Sequence, residues 1–238
     1  MKNRKGKFFV FEGLDGSGKS TQAKLLAEFL KRKGYQVEKI DFPQYGKKSA
    51  GLIENYLTGI YGTSKEVGPY IGSIFYACDR YDLSFKIKKW LNDGKIVISD
   101  RYVVSNVGHQ GGKIVRNKKE WDKYIDWLYD LEYNIFKIPR PDYTFILKTL
   151  PILSIKMSNK ITDVQKQKKR ASYLGDHKKQ DIHEVDEDHL ANTLKSYMRI
   201  SKKFPDEFRV VECLKRGKML PPNVIASKIM ILIQKKLS

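Results

Sequence analysis

A glycine-rich loop near the start of the chain has the residue types and spacing of a phosphate-binding site. Residues 13–20 fill the pattern G-x-x-x-x-G-K-[ST], directly after an apolar run. Glycines let such a loop adopt positive φ, so backbone N–H groups converge on phosphate oxygens, and the following helix points its positive dipole end at the same anion. Lys19 would place its charge near the β- and γ-phosphates of ATP, and Ser20 would offer a hydroxyl to Mg²⁺. The predicted ATP-binding residues are Gly13, Gly16, Ser17, Gly18, Lys19, Ser20 and Thr21.

The segments around this loop predict the elements that position it. Residues 7–12 indicate a buried strand, and the apolar residues after the loop recur at helical spacing as far as Gly34, which disfavours a glycine-rich turn that matches by chance. Further apolar runs alternate with helical stretches, as in a parallel sheet covered by helices on both faces. We therefore predict a single α/β domain over residues 1–238, a P-loop three-layer α/β/α fold with a five-stranded parallel sheet. The predicted strands are residues 7–12, 36–41, 95–100, 142–147 and 209–213.

A second group of polar residues follows the third predicted strand, which ends on Asp100 and runs into Arg101. A carboxylate at the carboxyl end of a buried strand, beside a phosphate-binding loop, can hold Mg²⁺ or its water or orient an acceptor, and the alternative is a helix cap. The predicted metal ligands are thus Ser20 and Asp100. Motor ATPases and helicases place a glutamate after this aspartate to activate water. An arginine there favours transfer to a bound acceptor, because its planar fork can bind both oxygens of an acceptor phosphate.

Together with other short segments, these residues resemble the thymidylate kinase family. The matching segments occur in the family order, and they are residues 11–21, 42–43, 76–80, 100–105 with Gln110, and 181–184. The resemblance implies Mg²⁺-dependent transfer of the γ-phosphoryl group of ATP to dTMP, which gives dTDP and ADP. Another nucleoside monophosphate kinase, with the same machinery and a different acceptor pocket, is the alternative.

The resemblance also implies roles for individual residues. Asp15 resembles the carboxylate that accepts a hydrogen bond from the sugar 3′-hydroxyl, and Arg101 resembles the arginine that binds the acceptor phosphate. Tyr76 stands where relatives stack a ring on thymine, and Arg80, one helical turn later, would reach the acceptor's base or phosphate, with a surface salt bridge to a neighbouring aspartate as the alternative. His109 replaces an aromatic residue that relatives often place next to the sugar. The implied dTMP-binding residues are Asp15, Phe42, Pro43, Tyr76, Arg80, Arg101, Ser105 and Gln110.

A basic segment at about residues 155–187 is predicted to be a mobile lid, because charge replaces periodicity there and loops of that length usually serve as lids or are disordered. Some thymidylate kinases carry an arginine inside the phosphate-binding loop, where this chain has Gly16 and Ser17, so a transition-state cation besides Lys19 must come from elsewhere. Arg170 is the candidate, because its planar fork suits a transferring phosphoryl group, and the alternative is a solvated charged loop. The predicted catalytic residues are Asp15, Lys19, Arg101 and Arg170.

The chain is strongly basic, with 46 lysine and arginine residues, 27 acidic residues and a net charge of +19. An ATP-switched nucleic-acid-binding protein is a further alternative, but no nucleic-acid motif is recognisable, so we expect ATP and dTMP as partners and no stable nucleic acid. No apolar run reaches the roughly 18 residues that span a bilayer, and the two cysteines lack disulfide or zinc spacing. We therefore expect a cytoplasmic protein with no membrane partner. The resemblance adds a homodimer, formed through the apolar faces of the predicted helices at residues 71–90 and 120–136.

Overall fold

The computed structural model describes residues 5–158 and 187–237, and a parallel sheet lies at its centre. The strands of that sheet are β1 (Lys7–Gly13), β2 (Val37–Asp41), β3 (Ile96–Asp100), β4 (Tyr143–Lys148) and β5 (Phe208–Glu212). They lie in the order β2-β3-β1-β4-β5, and every neighbouring pair is parallel. A short antiparallel hairpin follows, made of β6 (Leu214–Lys215) and β7 (Lys218–Met219). The predicted five-stranded parallel sheet is confirmed, and each predicted strand end lies within one residue of the observed one.

Helices cover both faces of the sheet. They are α1 (Lys19–Arg32), α2 (Gly51–Leu57), α3 (Ser64–Asn92), α4 (Val103–Gly112), α5 (Lys118–Tyr129), α6 (Pro151–Ser158), α7 (Glu187–Lys203) and α8 (Pro222–Leu237). A 3₁₀ turn at Lys48–Ala50 precedes α2, and a π-helical turn at Asp130–Ile135 continues α5. Over the described ranges, no helix combines the length and apolarity needed to cross a bilayer.

The strand that leads into the phosphate-binding loop is buried on both sides. Phe8 and Val10 of β1 pack with residues of α4 and α5, while Phe9 and Phe11 pack with residues of α1 and α8. Successive side chains of a strand point to opposite faces, and all four of these are 0% exposed. A parallel strand covered on both faces reads as a continuous apolar run, which is why the sequence predicts this one well.

Helix α3 begins earlier than predicted and is kinked near its start. Gly68 has φ 71° and ψ 173°, outside the helical region, and Pro69 follows it. The first turn is fixed by a capping box, in which the Thr63 hydroxyl accepts the N–H of Glu66 at 3.3 Å and the Glu66 carboxylate accepts the N–H of Thr63 at 2.7 Å. The long part of the helix therefore starts after a glycine hinge.

The carboxyl ends of β1 and β3 form the edge of the sheet that matters for function. The two strands are neighbours, with Phe11 opposite Asp100 in the register. The loop after β1 and the residues after β3 therefore lie side by side. Ligands of open parallel sheets bind outside the carboxyl ends of the strands, so this edge is where a site is expected.

Candidate active site

The phosphate-binding loop joins β1 to α1, and its glycines shape it. Gly13 has φ 141° and Gly18 has φ 90°, conformations that residues with side chains rarely adopt. A Cβ on Gly13 would also lie 2.7 Å from the carbonyl oxygen of Leu147 on β4. Helix α1 begins at Lys19, directly after the loop, so its N-terminal N–H groups favour an anion there.

The remaining predicted loop ligands differ in exposure. Ser17 is 1% exposed, and within the described residues its hydroxyl has no hydrogen-bond partner. Gly16, with φ 77°, is partly exposed. Thr21 lies in the first turn of α1 and is exposed. The structure therefore places Gly16 and Ser17 in the loop itself and Thr21 in the helix that follows it.

Lys19 folds back onto the loop. Its side chain is only 6% exposed, and Nζ donates to the carbonyl oxygens of Gly13 at 3.0 Å and Leu14 at 2.9 Å and lies 3.5 Å from Asp15. Burial, and secondly the charge of Arg101, lowers the pKa of Lys19 below its ordinary value. Backbone carbonyls are weaker partners for an ammonium than phosphate oxygens, so the lysine is placed to exchange them for a triphosphate.

The two predicted metal ligands lie on elements that meet at the loop, Asp100 at the end of β3 and Ser20 in the first turn of α1. Oδ1 of Asp100 is buried and has no hydrogen-bond partner in the described part of the chain. A buried carboxylate oxygen without a donor is unfavourable, and Mg²⁺ takes oxygens of this kind. The residues therefore fit Mg²⁺. Residues 5–158 and 187–237 contain no cluster of three or more histidine, cysteine or acidic ligands.

Arg101 lies beside the loop and forms an ion pair with Asp15. Its Nη1 is also 3.4 Å from Oγ of Ser105 and 3.1 Å from Nε2 of His109. Burial disfavours the charge, but nearby groups, Asp15 first and Glu12 among the others, raise the pKa of Arg101 well above its ordinary value. The structure thus brings a permanent cation, a carboxylate and a hydroxyl together next to the phosphate loop.

Arg80 is buried, with 1% of its surface exposed. Its Nε donates to both carboxylate oxygens of Glu132, at 3.0 and 3.2 Å, and Nη2 contacts the same carboxylate. Nη1 donates to the carbonyl oxygen of Tyr102 at 3.4 Å. The alternative of a surface salt bridge to a neighbouring aspartate is therefore wrong, because the partner is a fully buried glutamate 52 residues away in sequence. Direct contact between Arg80 and an acceptor stays a prediction.

Two residues predicted to face the base, Tyr76 and Gln110, share a neighbour in Tyr56. The Tyr76 ring meets the Tyr56 ring edge to face at 6.4 Å, and Nε2 of Gln110 lies 3.4 Å from the Tyr56 hydroxyl. Gln110 is 1% exposed, and its Oε1 finds no partner among the described residues. Phe42 is buried with its ring 5.6 Å from that of Tyr102, and a cis peptide joins it to Pro43.

Lys113 is a partly buried cation that the sequence did not indicate, since nothing in the sequence marks a lysine at a helix end. Its Nζ donates to the hydroxyl of Tyr56 at 2.9 Å and to the carbonyl oxygen of Ser64 at 2.8 Å. Burial lowers the pKa of Lys113 from 10.5 to about 7. The side chains of Lys113 and Gln110 therefore contact the same Tyr56 hydroxyl.

The shift at Lys113 predicts a pH-dependent stability. Between pH 7 and the ordinary pKa of lysine, the unfolded chain binds a proton at this residue that the folded chain does not. Each unit by which the pH rises should therefore raise the free energy of unfolding by up to about 1.4 kcal/mol. Lys113→Met should remove that contribution. Urea unfolding at pH 7 and pH 9 should show the wild type gaining stability relative to the variant, whereas the exposed Lys118→Met should track the wild type. Parallel pH profiles for wild type and Lys113→Met would contradict the shift.

Two further polar residues near the loop were also missed. Ser154 of α6 donates its hydroxyl to the carbonyl oxygen of Asp15, and Glu12 of β1 is 0% exposed. A serine on a short helix and an acidic residue inside an apolar strand give no sequence signal of a partner. Arg170 and the segment 181–184 lie outside the described residues, so the role of Arg170 stays a prediction.

Comparison with known proteins agrees with this geometry. The sequence model of the family described as thymidylate kinase matches residues 11–216, which is most of the chain. This chain belongs to the thymidylate kinase family. It is therefore a nucleoside monophosphate kinase, a phosphotransferase with a P-loop fold.

Individual relatives support the same assignment. A probable thymidylate kinase of Thermococcus onnurineus is 32% identical over 232 residues, which cover 92% of this chain and 95% of that protein. The thymidylate kinase of Plasmodium falciparum is 34% identical over 148 residues, 62% of this chain and 64% of that enzyme. Among solved structures, thymidylate kinase from Candida albicans gives a TM-score of 0.70 at 24% identity, covering 98% of this chain and 92% of that one. The enzyme from Ehrlichia chaffeensis gives 0.61 at 21% identity, covering 96% and 98%, and both likenesses confirm the fold.

Proposed function

We propose that the protein transfers the γ-phosphoryl group of ATP to dTMP and gives dTDP and ADP. The observation that carries this proposal is the Arg101–Asp15 pair beside the phosphate-binding loop. A kinase must hold the donor and acceptor phosphates together, and most of its catalysis is positioning and charge neutralisation. A permanently charged arginine beside the loop suits an acceptor phosphate, and family membership supports dTMP as that acceptor.

On the donor side, the loop and Lys19 would bind the triphosphate. Phosphate oxygens would replace the carbonyls of Gly13 and Leu14 as partners of the ammonium. The charge of Lys19 would then lie next to the transferring phosphoryl group, where negative charge develops in the transition state. Asp100 and Ser20 would hold Mg²⁺, and the ion would neutralise part of the negative charge of the triphosphate.

On the acceptor side, Arg101 would bind the phosphate of dTMP and Asp15 would accept a hydrogen bond from the sugar. The guanidinium carries donors on two edges, so one edge can keep Asp15 while the other takes two phosphate oxygens. This arrangement orients the acceptor oxygen toward the donor without any covalent step on the protein.

The buried amide oxygen of Gln110 supports a pyrimidine with an N3–H group. Oε1 of Gln110 has no donor within the described residues, and N3–H of thymine or uracil would supply one. The unprotonated N3 of cytosine would leave two acceptors facing each other, which costs far more than a missing methyl group. Tyr76 would stack on the base, and Phe42 with Pro43 would line the far side of the pocket.

A coupled assay of ADP release tests this function, with dTMP, dUMP, dCMP and GMP as acceptors. We expect the highest kcat/KM with dTMP and a value for dCMP lower by at least about a hundredfold. A preference for dCMP or GMP would remove dTMP as the substrate and favour another nucleoside monophosphate kinase.

An exposed apolar stripe on α3 supports a homodimer. Ile71, Tyr81 and Phe85 are 50%, 41% and 58% exposed, and with Ile74 and Cys78 they repeat at alternating spacings of three and four residues. Such spacing puts side chains on one helix face, and two copies can cover each other across a two-fold axis. The apolar face of α5 that carries Trp121 is buried in the core, so the sequence prediction that this face also contributes to the contact is wrong.

Phe85→Lys should therefore convert a dimer into a monomer, because it places a charge on the covered stripe at its most exposed described side chain. Size-exclusion chromatography with light scattering at about 20 μM, well above the Kd of a stable subunit interface, should report half the mass of the wild type. The control is Ile231→Lys on α8, where the replaced side chain is 64% exposed and outside the stripe. A monomeric wild type, or a Phe85→Lys protein of unchanged mass, would contradict the dimer.

A further inference from the structure

We propose that Glu12 is a positioning residue that fixes the turn carrying Arg101, an inference that rests on the proposed function. Glu12 lies near the end of β1 and is 0% exposed. Its Oε1 accepts the backbone N–H of Tyr102 at 2.7 Å, and its Oε2 accepts the hydroxyls of Ser105 at 2.7 Å and Tyr197 at 3.3 Å. One buried carboxylate thus joins the strand that enters the phosphate loop to the start of α4 and to α7.

The turn that Glu12 holds has an unusual backbone. Arg101 has φ 70°, in the left-handed region. A residue with a long side chain is disfavoured there, and the conformation persists only when the surrounding structure enforces it. Its N–H donates to the carbonyl oxygen of Phe11 at 2.9 Å, and its own carbonyl oxygen accepts the hydroxyl of Ser99 at 2.6 Å. These two contacts come from the neighbouring strands and fix the residue itself.

The next residue, Tyr102, is held at both of its backbone polar groups. Its N–H is bound by Glu12, and its carbonyl oxygen accepts Nη1 of Arg80 at 3.4 Å, while Glu132 holds Arg80 in turn. If the Glu12 contact is removed, a buried N–H loses its acceptor, and the turn loses one of the contacts that oppose relaxation of Arg101 toward an ordinary φ. The guanidinium would then leave the place where it contacts Asp15 and would face the acceptor.

Glu12 therefore acts on the acceptor through Arg101, and it touches neither substrate. A purely structural role predicts something different, namely a general loss of stability that weakens both nucleotides alike. The two roles are separated by asking whether the effect is confined to the acceptor and whether it disappears when Arg101 is absent.

The test compares Glu12→Met with the wild type by calorimetric titration of dTMP and of a non-hydrolysable ATP analogue. We expect the Kd for dTMP to rise at least about tenfold, because the Tyr102 N–H is left without an acceptor, while the Kd for the analogue changes by less than about twofold. In an Arg101→Ala background the same change should alter the dTMP Kd by less than about twofold, since the group through which Glu12 acts has gone. Glu12→Gln keeps an acceptor for the N–H and should recover most of the binding.

Tyr197→Phe is the matched control, because it removes the contacts of the Tyr197 hydroxyl, keeps the Glu12 contact to the Tyr102 N–H, and should leave dTMP binding within about twofold of the wild type. If circular dichroism shows that Glu12→Met is unfolded, Glu12→Asp replaces it in the same set of measurements. The shorter side chain moves the carboxylate away from the Tyr102 N–H, which should weaken dTMP binding about fivefold. Equal losses with and without Arg101, or equal losses for both nucleotides, would overturn the proposal alone. A wild type that does not phosphorylate dTMP would overturn the proposed function and this inference with it.

Discussion

Lys19→Ala should lower kcat for dTMP phosphorylation by at least about a thousandfold, the scale of removing one preorganised cation from a transferring phosphoryl group. Lys19 is 6% exposed and its ammonium is held by two backbone carbonyls at the loop, so no solvent cation can take its place. Initial rates at saturating ATP and dTMP give the comparison. The fold should persist, because burial disfavours the charge of Lys19 and lowers its pKa, so removing that charge takes away a cost of folding.

The matched control is Lys24→Ala on the same helix, where the side chain is exposed and outside the loop. It should keep kcat within about twofold of the wild type, as surface substitutions usually do. Turnover by Lys19→Ala within tenfold of the wild type, with a native circular dichroism spectrum, would remove the loop from the reaction.

Arg101→Ala should lower kcat/KM for dTMP by about a thousandfold, because a charge-assisted, two-pronged contact to the acceptor phosphate is lost and Asp15 loses its ion-pair partner. Binding of an ATP analogue should change by less than about threefold, since the donor contacts come from the loop. Arg101→Lys should recover only part of the activity, because an ammonium is a point charge and cannot form the fork. Steady-state kinetics with each nucleotide varied in turn separate these effects.

Arg140→Ala provides the control for losing an arginine. Arg140 is exposed, with 52% of its side chain accessible, and forms a surface ion pair with Glu207. Its removal should leave kcat/KM unchanged, because exposed pairs contribute little. An Arg101→Ala variant that loses ATP affinity as strongly as dTMP affinity would show that the arginine serves the donor instead.

The sheet and the loop could be predicted because their signals are local. The strand at Lys7–Gly13 is apolar on both faces, and the glycines and lysine that follow have fixed spacing. The kink of α3 also had a local signal in Gly68-Pro69, which the sequence analysis did not use. Local patterns fix elements and turns, and they do not fix which residues meet across the fold.

The partners of the charged residues could not be predicted for that reason. Helical spacing places Arg80 on the same face as Tyr76, but its partner Glu132 comes from a π-helical turn far along the chain. Glu12 reads as one polar residue in an apolar strand, and only the packing of α4 and α7 shows that three donors surround it. Buried charges require partners, yet sequence alone does not name them.

Two helices with the same apolar periodicity turned out to have different surroundings. The stripe of α3 that includes Tyr81 and Phe85 is exposed, whereas Trp121 and Tyr124 of α5 are fully buried. A period of 3.6 residues identifies an apolar face and leaves open whether the chain itself or a second copy covers it. The contribution of Arg170, the cytoplasmic location and the absence of a nucleic-acid partner stay predictions.

The fate of the γ-phosphoryl group tests the central claim most directly. The protein is mixed with γ-³²P-labelled ATP, Mg²⁺ and dTMP, and the products are separated by thin-layer chromatography. We predict that the label appears in dTDP, that ADP forms in equal amount, and that little inorganic phosphate is released. Label in inorganic phosphate with dTMP unchanged would contradict the account, because the site would then hydrolyse ATP and Arg101 would hold no acceptor.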